Sequence, residues 1–380
     1  MTNGFNSMTK NILHYLSGYF PLIFCLSICL GIPAIFAFII SIISIIAMPE
    51  TEKKKLLPVF ISFHILVSNP VNPIPTIIIT GALLLVYYLF HDKIKNHFID
   101  VYNSGIMLAG ALTSTVLFTT YYFGIGASGE SVIEMIKSYI SLGFHPNWRG
   151  VLYGTIVLVI MVTFPRKFKS VSKYISAPFI AIIFTLILNL ILNPSDMVSA
   201  ITEIPQFNTE HFKDFTIKNF NPDFNISSVI NGIALFFLLI SVYTNNCESR
   251  KKDLLIYSGV NILSSGLFLL PLPYGINKNK KSFIPRIIAV LITLTFFIIF
   301  KDIAERIPLH SCAVVIIVSA WESVKWNEIK LSFSTIKNTI LFIISFVVSL
   351  LTNISIGIIV SFIISKFFKT FENKKIKPAE

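Results

Sequence analysis

The chain has 380 residues, of which 54% are hydrophobic and 13% charged, with a mean hydropathy of +0.76. That is more apolar surface than one water-soluble core can hide, so lipid is the solvent for much of the chain, and apolar segments that continue to residue 368 exclude a removable signal peptide as their source. The net charge of +12 is spread through many short loops, which excludes a nucleic-acid groove and suits membrane topology and lipid headgroups.

The first apolar block, 12–48, is too long for one crossing of about 20 residues, and Gly31-Ile32-Pro33 divides it into two helices. A short segment, 56–68, ends at Asn69-Pro70 and is followed by 75–90 and 99–123. Residues 129–143 form a weakly amphipathic surface piece, ahead of segments 148–164 and 172–192. The long polar loop 193–225 divides the chain. Beyond it lie 226–243, 253–270, 283–300, 308–321, 336–351 and 352–368. Cys25, Cys29, Cys247 and Cys312 lie in or beside apolar segments without metal-ligand spacing and are read as packing residues. In the polar loop, Asn225 or Ser227 is expected to cap the following helix, and Trp321 and Trp326 are expected to anchor at a membrane interface.

With the N-terminus in the cytoplasm, alternating crossings put most of the 31 basic residues inside, among them Lys53, Lys54, Lys55, Arg166, Lys167, Arg250, Lys251 and Lys252. The long loop falls outside, where Asp196, Glu203, Glu210, Asp214 and Asp223 outnumber its lysines. Keeping Lys278, Lys280 and Lys281 inside requires a further crossing within residues 266–277, which at about 1.5 Å per residue reach only about 18 Å. Such a crossing is a shortened helix broken at Pro271 and Pro273. The stretch 68–76, with Pro70, Pro73 and Pro75, is its counterpart in the first half. Each half then holds seven crossings, an odd number, so the second half is inverted relative to the first. Paired breaks of this kind expose backbone dipoles at mid-membrane and mark a substrate site.

Several stretches resemble the SulP (sulphate permease) anion transporters. Ser258-Gly259-Val260-Asn261-Ile262-Leu263-Ser264-Ser265-Gly266-Leu267-Phe268 is similar to the family's GxANIxSGLF run, and Ile307-Pro308-Leu309 through Ala320-Trp321 to its IPLAALAAILIVVAW segment. Ile204-Pro205, the spacing of Pro21, Gly31 and Pro33, and Val67-Ser68-Asn69-Pro70 echo further motifs. The resemblance implies an all-α polytopic membrane protein with about 14 transmembrane segments as 7+7 inverted repeats and short, broken third and tenth helices. The repeats are expected at 1–192 and 226–368, with a basic cytoplasmic tail at 369–380 and no STAS domain. It further implies core and gate domains, an elevator-type movement, an anion such as sulphate, bicarbonate or a carboxylate between the third and tenth helices, and a location in the inner membrane. A homodimer is left open.

The candidate anion-binding residues are Ser68, Asn69 and Asn72 at the first break and Tyr274, Gly275, Asn277 and Lys278 at the second. Ser241 faces them, and Leu22 and Leu26 form part of a wall. Asn69, Asn72 and Asn277 could equally cap helix ends, and Lys278 could be a topogenic loop lysine. The sequence departs from the family at Leu22, where the family has Gln, and at Ile240-Ser241-Val242, where it has a carboxylate. Asp100 and Asp253 stand at the ends of two apolar spans and no Asp or Glu falls in the interior of one, so a degenerate, non-transporting scaffold of the same fold stays open. A nucleobase transporter of this fold ranks last, because it needs a membrane carboxylate to pair with the base. His64 and His310 are read either as titrating groups or as neutral rings hydrogen-bonded to neighbouring helices. No motif for catalysis, metal or cofactor binding is present.

Overall fold

In the computed structural model, the described residues are 8–13, 16–17, 25, 61, 64–65, 74–94, 103–125, 127, 129, 131–192, 225–244, 283–299, 303 and 306–376. The elements among them are all helices: α1 (Ile74–Ile94), α2 (Ser104–Phe123), α3 (Val132–Leu142), α4 (Trp148–Lys167), α5 (Ala177–Leu192), α6 (Ile226–Thr244), α7 (Phe283–Ile299), α8 (Leu309–Glu322), α9 (Trp326–Ser332), α10 (Ile336–Leu351) and α11 (Ile354–Ile376). The expected segments 12–48 and 56–68 fall outside this set except for residues 12–13, 16–17, 25, 61 and 64–65, and the expected segment 253–270 and the loop residues 193–224 fall wholly outside it.

The helix ends follow local chemistry. Asn103 caps α2 by accepting from the backbone N–H groups of Gly105 (2.9 Å) and Ile106 (3.0 Å), and Asn147 caps α4 by accepting from Gly150 N (3.2 Å). Ser131 and Glu134 form a reciprocal capping box on α3. Asn225 caps α6, its oxygen accepting from Ser228 N at 2.7 Å, as the sequence leads one to expect. Gly124 closes α2 at φ 68°, a left-handed conformation that costs a glycine little. The expected segment 172–192 starts later, at Ala177, because residues 169–175 are in turns, and α11 runs past its expected end at 368. The short α9 was not expected. It meets α10 at a bend of 119°.

At 20 residues each, α2 and α4 are long and apolar enough to cross a membrane. The shorter α8, at 14 residues, reaches only about 21 Å at 1.5 Å per residue. Helix α2 is the hub: it packs on α8 and α10 and also meets α3, α4, α9 and α11. Helix α8 lies among α2, α4 and α5, while α6 packs between α1 and α11. First-half helices therefore pack against second-half helices instead of forming a separate bundle.

Close approach depends on small residues. A Cβ at Gly110 would strike the side chain of Ile61, and one at Gly150 would occupy the ring of His310. Gly150 and Gly154 are four residues apart on α4 and receive His310 and Val314, also four apart, from α8. Polar ties complete the contacts. The Asn103 amide donates to Ser361 Oγ at 2.6 Å while its oxygen accepts from Ser345 Oγ at 3.0 Å, joining α2, α10 and α11. Trp321 donates its indole N–H to Thr115 Oγ1 at 2.7 Å and stacks on Trp326, so it ties α8 to α2 in addition to any anchoring role.

These contacts fix relative helix directions. Thr80 meets Gly232 and, further on, Tyr87 meets Phe236, so α1 and α6 are parallel. Gly124 meets His310 while Thr115 meets Trp321, so α2 and α8 are antiparallel. Helices α4 and α8 are parallel, as are α6 and α11 through Asn231 with Ser355 and Phe237 with Phe362. Asn103 meets Ser361 while Gly110 meets Ile354, so α2 and α11 are antiparallel. Each relation agrees with the alternation deduced from the loop charges.

Candidate functional site

Of the candidate residues, Ser68, Asn69, Asn72, Tyr274, Gly275, Asn277, Lys278, Leu22 and Leu26 lie outside the described residues. Ser241 is described, fully buried in the last turn of α6. Cys25, between Leu22 and Leu26, is helical and fully buried.

The surroundings of the first break are clearer. Helix α1 begins at Ile74, inside the stretch 68–76 expected to be the break, so residues 74–76 are helical; Pro75 falls in the first turn, where a missing N–H leaves no helical bond unmade. Thr76 in the same turn and Thr80 in the next are both buried. The Thr80 hydroxyl lies 2.7 Å from Thr76 O and 3.1 Å from Gly232 O on α6, within hydrogen-bond reach of both carbonyls. A Cβ at Gly232 would lie 2.7 Å from Ile79 Cγ2 and 3.0 Å from Thr76 O. The helix leaving the first break and the helix carrying Ser241 are therefore packed backbone to backbone at this point. On its other side α6 meets α11, where Ser355 Oγ donates to Asn231 Oδ1 at 2.6 Å and the Phe237 and Phe362 rings stack at 4.1 Å.

Helix α6 carries no acidic or basic side chain. Its polar groups are hydroxyls and the Asn231 amide, which interact with an ion through partial charges. Among the described residues no cluster of three His, Cys, Asp or Glu side chains could hold a metal.

His64 is buried, as expected for a residue inside an apolar span. His310 departs from the expectation of a hydrogen bond to a neighbouring helix. Its ring lies over Gly150 and near Gly124, and neither ring nitrogen has a hydrogen-bond partner among the described residues. It belongs to the packing of α8 on α4, apart from the α1, α6 and α11 group that holds Ser241. Sequence reasoning did not single out Thr76, Thr80, Asn231 or Ser355. The i, i+4 threonines in an otherwise apolar segment were the available signal for the first two.

The elements among the described residues are all helical, and α2 and α4 are long and apolar enough to cross a membrane. No protein-family model matches the chain, and no curated protein does. Among solved structures it is similar to SLC26A9 (TM-score 0.67, 11% identity, covering 96% of this chain and 65% of that one). It is similar also to the transmembrane domain of a cyanobacterium bicarbonate transporter, BicA (TM-score 0.62, 15% identity, 94% and 96%). A third is the murine Slc26a9 anion transporter in the inward-facing state (TM-score 0.64, 12% identity, 96% and 68%). The chain thus spans 65% of the length of the first of these. At these identities the likeness is one of fold: the chain has the fold of the SulP/SLC26 anion transporters, whose motifs its sequence resembles.

Proposed function

We propose that this chain is a secondary transporter of a small anion, such as sulphate, bicarbonate or a carboxylate. The observation that carries the reading is the match along nearly the full length of the BicA transmembrane domain, a bicarbonate transporter. The anion sits between the two breaks, with Ser68, Asn69 and Asn72 on one side, Tyr274, Gly275, Asn277 and Lys278 on the other, Ser241 facing them and Leu22 and Leu26 as wall.

The physical chemistry supports such a site and sets its demands. A helix N-terminus presents free N–H groups and about half a positive charge, worth about 0.3–2 kcal/mol to an anion. Removing an ion from water costs several kcal/mol, so two helix ends need further donors. Hydroxyl and amide side chains provide some, and Lys278 provides a full charge. The α1–α6 pair, packed backbone to backbone, moves as one unit in an elevator-type cycle. Both termini are read as cytoplasmic, which the distribution of loop charges supports, and the membrane as the inner membrane, which the family resemblance implies.

The test is anion uptake into proteoliposomes by the Asn69→Leu/Asn277→Leu double variant and by Ser241→Leu. Each is expected to lose uptake by about tenfold or more, equivalent to about 1.4 kcal/mol of binding. Unchanged uptake in the double variant would move the site elsewhere.

A further inference from the structure

Helix α3 carries more apolar surface than the protein covers. At 3.6 residues per turn, Val132, Met135 and Tyr139 share one side, Ile133, Ile136 and Ile140 the side next to it, and Glu134, Lys137, Ser138 and Ser141 the opposite half. The first side is turned into the protein: Val132 and Met135 are buried, and the Tyr139 phenol oxygen is buried beside Thr120 in the last turn of α2. The isoleucines are left uncovered, at 36%, 45% and 76% exposure for Ile133, Ile136 and Ile140.

The position of the helix says what covers them. Thr120 puts α3 level with the end of α2, and the return loop stays at that level: the Phe144 ring meets Phe123 edge-on at 5.0 Å, and Asn147 N–H donates to Phe123 O at 2.9 Å. The chain then enters α4, whose exposed Trp148, Leu152 and Val159 form an apolar stripe on a helix long and apolar enough to span. The isoleucine strip continues that surface around the corner. An amphipathic helix at such a boundary, aromatic residues beside it and charges on its far face, has the form of one lying in the headgroup layer.

We propose that α3 docks on the lipid bilayer, with Ile133, Ile136 and Ile140 at the acyl-chain boundary and Glu134, Lys137 and Ser138 facing water. The capping box holds the helix in place for this contact. The proposal needs only that the chain spans the membrane and is independent of anion transport.

Spin labels at Ile140→Cys, Ile136→Cys and Lys137→Cys in the full chain test it, after reconstitution into phosphatidylcholine/phosphatidylglycerol vesicles and subtraction of the signal from the labelled parent protein. Relaxation is measured with oxygen and with a water-soluble nickel chelate. Labels at 140 and 136 are expected to favour oxygen several-fold, and the label at 137 the nickel chelate. Preference for nickel at 140 and 136 would put the strip in water and overturn the proposal. Exclusion of both reagents would overturn it as well, in favour of a second copy of the chain where the labels broaden one another and of another protein surface where they do not.

Discussion

Ser355 donates its hydroxyl to the side-chain oxygen of Asn231 at 2.6 Å, and both residues are buried where α6 meets α11. Within an apolar layer such a bond has no water to compete with it, yet measured couplings between membrane helices average about 0.6 kcal/mol and reach about 1.7. Asn231→Leu and Ser355→Ala are each expected to lower thermal stability in detergent, and the double variant to lose less than the two together. The coupling should fall in that range. Strict additivity would mean that the pair contributes no interaction of its own.

Asn103 performs three tasks with one amide: it caps α2, accepts from Ser345 and donates to Ser361. Thr335 performs only one, accepting from Asn338 N at the exposed start of α10. Loss of a cap costs about 0.5–2 kcal/mol, and each lost tie between membrane helices adds about 0.6. Asn103→Ala should therefore destabilise by about 2–3 kcal/mol and Thr335→Ala by about 1, compared by thermal denaturation of the two purified variants.

The ring of His310 occupies the space that a side chain at Gly150 would need. Gly150→Ala forces α8 away from α4, an overpacking cost of about 1–3 kcal/mol. The double variant Gly150→Ala/His310→Ala restores the room and should recover part of the loss, although His310→Ala alone leaves a cavity. The melting temperatures of the three variants decide this. A double variant less stable than Gly150→Ala would show that the ring is not what the added methyl meets.

The fold was legible in the sequence to the extent that it is governed by long-range rules. Among the described residues, segment positions followed from apolar run length, and the relative directions of α1 with α6, α2 with α8 and α6 with α11 followed from loop charge. Asn225 could be read as a cap because a local rule suffices there. What could not be read depends on pairs distant in sequence. Nothing local announces that Asn231 meets Ser355, that Gly150 makes room for His310, or that Trp321 bonds Thr115 across the bundle. The short helix α9 was also invisible, because WNEIKLS has too few turns to display a period. The breaks and Ser241 as parts of an anion site are readings of the sequence and belong to the proposed function. The structure added that α1, leaving the first break, is joined to the helix carrying Ser241 through Thr80 and Gly232.

The most direct test of the account is flux. The purified full chain, reconstituted into liposomes, is assayed for uptake of radiolabelled sulphate, bicarbonate and a small carboxylate, with empty liposomes as the baseline. Saturable uptake of at least one of these anions, competed by the unlabelled form, is the predicted result. Uptake no greater than that of empty liposomes for every anion, from protein shown to be folded, would contradict transport and leave a scaffold of the same fold.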